Sequence, residues 1–164
     1  MSPNLFRIPG PWRGKLAIST RPRGGDWLKD EAAGYRRVGV DVLVSLLEGE
    51  EAAELDLSDE RNAAEANGIQ FLSLPIPDRG TPKSTPLAIA LITRLAESLE
   101  QGKNVVVHCR QGVGRSGLIA VGLLVASGAT ADDAMRLVSS ARGEAVPETT
   151  MQREWLEHLP SLKS

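Results

Sequence analysis

The chain has 164 residues, 41% of them hydrophobic and 24% charged, with 19 Lys and Arg against 21 Asp and Glu. That length suits one hydrophobic core, ordinary apolar content excludes disorder, and a net charge of −2 gives no electrostatic case for coating nucleic acid or an anionic membrane. The longest apolar stretch, Leu118 to Ala126, falls far short of the ~20 residues of a membrane span. Met1 to Arg7 holds no apolar block of signal-peptide length, so the expectation is one cytoplasmic domain over residues 1–164.

Taken in chain order, Lys15 to Ser19 reads as a first strand, closed by the turn-like run Arg21-Pro22-Arg23-Gly24-Gly25. Asp26 is placed to cap a helix over about 27–37, with Leu28, Ala32 and Tyr35 at helical spacing. Val40 to Leu47 is apolar enough for a strand buried on both faces of a parallel sheet. An acidic helical stretch spans 49–67 in two pieces around Asp56-Leu57-Ser58, Gly68 ends it, and Ile69 to Leu74 forms the next strand. Asp56 and Asp59 read as solvated surface.

Three prolines between Pro75 and Pro82 forbid regular structure there. Ser84 or Thr85 then caps a long helix whose inner face is predicted as Leu87, Leu91, Ile92, Leu95 and Leu99. Val105-Val106-Val107-His108 is the most convincing buried strand, and a glycine-rich loop leads from it into an apolar helix over about 115–127. Helices over 130–142 and 149–158 complete the chain. Strand and helix alternate, which predicts an α/β fold with a largely parallel sheet. Trp12, Trp27 and Trp155 read as packing residues and His158 as surface.

The chemistry concentrates in His108-Cys109-Arg110-Gln111-Gly112-Val113-Gly114-Arg115-Ser116-Gly117. A buried strand, a tight loop and a helix N-terminus aim successive backbone amides at one point, and that geometry binds a tetrahedral oxyanion. Gly112 and Gly114 permit the curl. Cys109 is the only cysteine, so neither an intrachain disulfide nor a Cys-based metal cluster is available. Thiols at helix N-termini beside cations titrate at about 3.5–7.5 rather than ~8.5, and Cys109 is therefore expected as a thiolate. The Arg115 fork matches two phosphate oxygens, and Ser116 is placed to hydrogen-bond the sulfur.

This Cys-x5-Arg-Ser pattern after an apolar strand and a His resembles the signature of the cysteine-based protein tyrosine phosphatases, most closely their small dual-specificity branch. The resemblance spans roughly residues 15–158. It implies a three-layer α/β/α fold around a mostly parallel sheet of four or five strands, a phosphocysteine intermediate, and neither metal nor other cofactor. It implies catalytic roles for Cys109, Arg115, Ser116 and Asp78, with Arg110, Gln111, Gly112, Val113 and Gly114 as the phosphate-binding loop. Low-molecular-weight phosphatases carry their Cys loop near the N-terminus with the acid downstream. Here Cys109 lies two-thirds along the chain and Asp78 lies upstream, in the Pro-bracketed loop where dual-specificity enzymes carry their general acid.

His108 is expected to fix the loop and tune the thiolate by hydrogen bonding. Gln152 resembles a residue that positions hydrolytic water in some family members, and reads equally well as a polar residue on an exposed helix. Arg110 is placed either to face the cleft together with Arg79 or to pair with a carboxylate and brace the loop. The reading is a protein phosphatase acting on phosphotyrosine and on phosphoserine and phosphothreonine, with a phosphorylated protein or peptide as partner and no nucleic acid. Its alternatives are a phosphoinositide or other non-protein phosphomonoester phosphatase, and a phosphate-binding module without turnover.

Overall fold

The computed structural model describes residues 3–162; Met1 and Ser2 of the N-terminal reading lie outside them. Five strands form one sheet in the order β1-β2-β5-β3-β4, with β1 (Leu5–Ile8), β2 (Leu16–Ser19), β3 (Val42–Ser45), β4 (Gln70–Ser73) and β5 (Val105–His108). β1 runs antiparallel to β2, and the other neighbours are parallel. The mixed, mostly parallel sheet flanked by helices is the predicted class. β1 was not expected: the run Leu5-Phe6-Arg7-Ile8 is short, and its strand character comes from pairing Leu5 with Ser19 and Ile8 with Leu16.

Period-two alternation assigns the two faces of the sheet. Leu16, Ile18, Val42, Val44, Val105 and Val107 join the larger core, which is covered by α4 (Thr85–Glu100), α5 (Gly114–Ala126), α6 (Ala131–Arg142) and α7 (Thr150–Leu162). Ala17, Leu43 and Val106 point the other way, onto Tyr35 of α1 (Leu28–Arg37) and Ala64 of α3 (Glu60–Ala66). A short helix, α2 (Gly49–Glu54), follows β3. Because its two faces carry helices, the central strands are buried throughout and read as continuous apolar runs. α5 is buried on nearly every side, which accounts for its apolar sequence.

Three local expectations are corrected. Asp26 does not cap α1; it lies inside a 3-10 turn, Gly25–Trp27, that precedes the helix and has no side-chain cap. On α4, Leu87 is 61% exposed and the inner face is Ala88, Ile92, Leu95 and Leu99. The Ser84 cap is observed, its hydroxyl accepting from the Leu87 amide at 3.3 Å, and this N-cap places Leu87 in the first turn, outside the seam. Trp27 is not a packing residue: it is 54% exposed, with Arg23 stacked 4.2 Å from its ring centre. Trp12 is buried, and Asp56, Asp59 and His158 lie on the surface.

Candidate active site

β5 occupies the centre of the sheet, with His108 in register with both Ser19 and Ser45. Its carboxyl end is flanked by β2 and β3, whose following helices, α1 and α2, lead away from it. In open α/β sheets this is where ligand crevices form. The chain leaves His108 through Cys109 and curls into α5, whose N-cap Val113 supplies no side-chain cap. The first amides of a helix have no partner within it, and among the described residues the Arg110 to Val113 amides donate no backbone hydrogen bond outside regular elements. The loop therefore presents free donors to whatever occupies its concavity. Gly112 holds φ +74°, and a Cβ there lies 2.8 Å from the Ser19 carbonyl oxygen, so only glycine lets the curl seat against β2.

Around that concavity Cys109, Asp78, Arg79, Arg110, Gln111, Val113, Gly114, Arg115 and Glu148 enclose a pocket of about 100 Å³. This is much smaller than the roughly 300–1,000 Å³ of sites for drug-sized ligands, and suits a compact anionic group. The structure thus brings together the nucleophile, clamp, acid and loop residues predicted from sequence.

Arg115 is 2% exposed and heavily engaged. Its Nη1 and Nη2 donate to the two Glu51 carboxylate oxygens at 2.6 and 3.0 Å, and Nη1 also donates to the Ile76 carbonyl at 3.0 Å. Of the five guanidinium donors, this leaves Nε–H and one Nη2–H, which form a second fork for a phosphate. Burial works against the charge and is the largest single influence, but the Glu51 hydrogen bonds together with the surrounding acidic groups outweigh it and the guanidinium pKa is raised. Hydrogen bonds from Arg115 hold Glu51 below its ordinary 4.5. Glu51 is itself fixed at the start of α2, where its Oε1 accepts from the Glu48 amide at 3.1 Å. Its Oε2 also lies 4.0 Å from Nη1 of the half-exposed Arg110, which thus rims the pocket and leans on a carboxylate at once.

Asp78 Oδ1 is 3.4 Å from Arg115 Nη2, with the side chain 61% exposed. Its turn, Pro77 to Gly80, is closed by the Gly80 amide donating to the Pro77 carbonyl at 2.8 Å, with Arg79 at φ +60°. A non-glycine residue there carries about 1–2 kcal/mol of strain. His108 is fully buried: Nδ1 lies 3.2 Å from the Cys109 carbonyl and Nε2 lies 2.5 Å from Glu60 Oε2. The Ser116 hydroxyl is buried with no hydrogen-bond partner among the described residues, so the expected bond to sulfur is not made in this geometry. Gln152 is fully buried, not exposed, and does not line the pocket.

Four residues escaped the sequence reading. Glu51 and Glu60 anchor Arg115 and His108. Arg142, in the last turn of α6, donates from Nε to the Gly112 carbonyl at 2.7 Å and from Nη2 to the Gln111 carbonyl at 3.1 Å. Its guanidinium also stacks 3.9 Å from the Phe6 ring centre. By binding two carbonyls from behind, it turns the opposite, amide side of those peptides toward the pocket. Glu148 lies over the loop at Gly114, where an added Cβ would collide with Oε1. Glu60 alone left a signal: it shares a helical face with Ala63 and Ala64.

A family model described as polymorphic toxin system, DSP-PTPase phosphatase matches residues 19–129. Over 95 residues, 57% of this chain, the sequence is 30% identical to dual specificity protein phosphatase 8 of Mus musculus; the chain spans only 14% of that relative's length. The solved structure of Tk-PTP in the active form is 30% identical with a TM-score of 0.79, covering 98% of this chain and 99% of that one. Kinase associated phosphatase, solved with its catalytic-site cysteine substituted by serine, gives a TM-score of 0.88 over 99% of this chain and 96% of that one. At 16% identity the second likeness speaks to fold alone.

Proposed function

Since the chain belongs to the DSP-PTPase phosphatase family, we propose that it is a cysteine-dependent phosphomonoesterase whose substrates are phosphorylated proteins, with phosphotyrosine, phosphoserine and phosphothreonine all accepted. The observation that carries this reading is the pocket itself: small, open to solvent, and rimmed by acids as well as by arginines. Glu148 and Asp78 line it alongside Arg79 and Arg110, so the surface around one phosphate is not the uniformly basic one that a multiply phosphorylated inositol ring selects.

In the proposed reaction Cys109 Sγ attacks phosphorus in line, the S–P bond forming as the ester P–O bond breaks. The free loop amides and the Nε–Nη2 fork of Arg115 take the equatorial oxygens. Asp78 gives its proton to the departing oxygen. Water then attacks the phosphocysteine and passes a proton to Asp78, while the S–P bond breaks and the electron pair returns to sulfur. Ser116, buried with no hydrogen-bond partner among the described residues, has a donor available for that sulfur.

The test is phosphate release across phosphopeptides, phosphoinositides and nucleotides, with Cys109→Ser as control. Phosphopeptides are expected to give the highest kcat/KM, and Cys109→Ser to lose turnover while retaining vanadate binding. A preference of about tenfold or more, ~1.4 kcal/mol, for inositol phosphates would reverse the substrate reading. Turnover persisting in Cys109→Ser would remove the nucleophile.

A further inference from the structure

Gln152 is a fully buried polar side chain at this site whose two side-chain bonds both end on backbone, one just before its own helix and one in a distant turn. Its Oε1 accepts from the Glu148 amide at 3.0 Å and its Nε2 donates to the Gly80 carbonyl at 3.0 Å. It does not line the pocket, and one bond from each end of the amide is committed to backbone. What it does touch is the turn that carries Asp78. Gly80 closes that turn, and the preceding residue, Arg79, stands in the left-handed region at φ +60°.

A strained turn persists only where its surroundings hold it. Two contacts hold this one from the α7 side. Gln152 Nε2 takes the Gly80 carbonyl, and Thr149 Oγ1 donates to the Arg79 carbonyl at 3.4 Å while accepting from the Gln152 amide at 3.1 Å. Asp78 itself is largely exposed and, among the described residues, pairs only with Arg115, so its place depends on the turn beneath it. Gln152 Nε2 also lies beside Gly114, 3.2 Å from where a Cβ there would stand. One buried amide thus registers the acid's turn against the phosphate loop.

We propose that Gln152 is a positioning residue for the leaving-group proton transfer: through the Gly80 carbonyl it presets the Asp78 turn over the phosphate loop. This rests on the reading of Asp78 as the general acid, and it assigns Gln152 to the first chemical step, not to the capture of water in the second.

The test uses Gln152→Glu, which keeps the acceptor for the Glu148 amide and loses the donor to Gly80. Substrates with poor leaving groups, such as phosphotyrosine peptides, are compared with an activated aryl phosphate whose departing oxygen needs no proton. For Gln152→Glu, kcat/KM on the poor leaving group is expected to fall about tenfold, part of the ~10²–10⁴ that a positioned acid supplies. On the activated ester it should hold within about twofold, and in an Asp78→Asn background the substitution should add little, because the two act as a unit. Thr149→Val, the milder change, should shift the same ratio in the same sense.

Equal losses on both esters, with a lowered Tm, would make Gln152 merely structural. Unchanged kcat/KM with phosphocysteine accumulating after acid quench would move it to the water step. Either result overturns the proposal. If Asp78→Asn shows leaving-group dependence and Gln152→Glu does not, this inference alone fails. If Asp78→Asn shows none, the general-acid reading fails and takes this inference with it.

Discussion

Glu51 offers the sharpest test of how the site is held together. Its carboxylate accepts two hydrogen bonds from an arginine that is 2% exposed, so Glu51→Ala strands a buried cation. Removing one partner of a buried pair costs about 3–5 kcal/mol. For a chain of this size each kcal/mol lowers Tm by about 2–4 °C, so the expected fall is roughly 6–20 °C. Glu51→Gln keeps an acceptor for one Nη donor and should fall less. With its tether gone the Arg115 fork is free to shift, and a displacement near 1 Å can cost about 10²-fold in rate. Phosphate or vanadate replaces the missing negative charge, so ligand-induced stabilisation, read by thermal melts, should be larger in Glu51→Ala than in the wild type. The acid side of the stability curve gives a second readout. Arg115 depresses the Glu51 pKa below 4.5, so the pair's contribution is complete above that value and disappears as pH falls through the depressed one. The unfolded chain binds the extra proton in that window, and stability rises with pH there. Glu51→Gln should flatten that part of the Tm profile. Variants that melt within about 2 °C of wild type, less than one kcal/mol, with unchanged kcat would refute the clamp.

Three other outcomes follow from the same geometry. Arg115→Lys preserves charge but cannot pair bidentately with Glu51 and phosphate together, so kcat should drop by about 10²–10³; near-normal kcat would mean the fork is not used. Arg142→Ala frees the Gln111 and Gly112 carbonyls and should cost about 1.5–3 kcal/mol for the lost charged hydrogen bonds. Vanadate affinity should weaken alongside Tm, and a melt-only effect would confine Arg142 to packing. Gly112→Ala forces a side chain at φ +74° against the Ser19 carbonyl. Beyond about 1–2 kcal/mol of backbone strain, the loop must move off β2, so phosphate-analogue binding should be lost before the fold is.

What could be read in the sequence was what is local. Val105 to His108, the glycines after it and the apolar helix beyond are neighbours in the chain, and each follows from a backbone preference or a burial pattern that a short window contains. The Asp78 turn was legible for the same reason, as prolines and a glycine crowd around it. Leu87 failed because helical spacing alone cannot tell a first-turn residue from a seam residue. Trp27 failed because apolar surface does not say whether a partner will be within reach, and here the partner is a guanidinium.

The supporting residues were illegible for a different reason. Glu51, Glu60 and Arg142 lie 64, 48 and 30 positions from the groups they hold, and apart from the alanine face that Glu60 shares, nothing in their own neighbourhoods sets them apart from ordinary helix-surface charges. Glu50, Glu51 and Glu54 look alike in the chain; only the crossing of β3 beside β5 carries the start of α2 to Arg115 and singles out one of them. The same topology explains why Gln152 reads equally well as a water-positioning residue or an exposed polar one until α7 is seen against the Asp78 turn. A cysteine, an arginine and an oxyanion loop can be specified by one stretch of chain because the helix N-terminus supplies its own donors. Setting the fork of Arg115 and the turn of Asp78 at the correct angles requires rigid contacts from elsewhere in the fold. In this molecule those contacts come from the helices that follow β3 and α6, which is why substitutions there should change catalysis without touching the substrate.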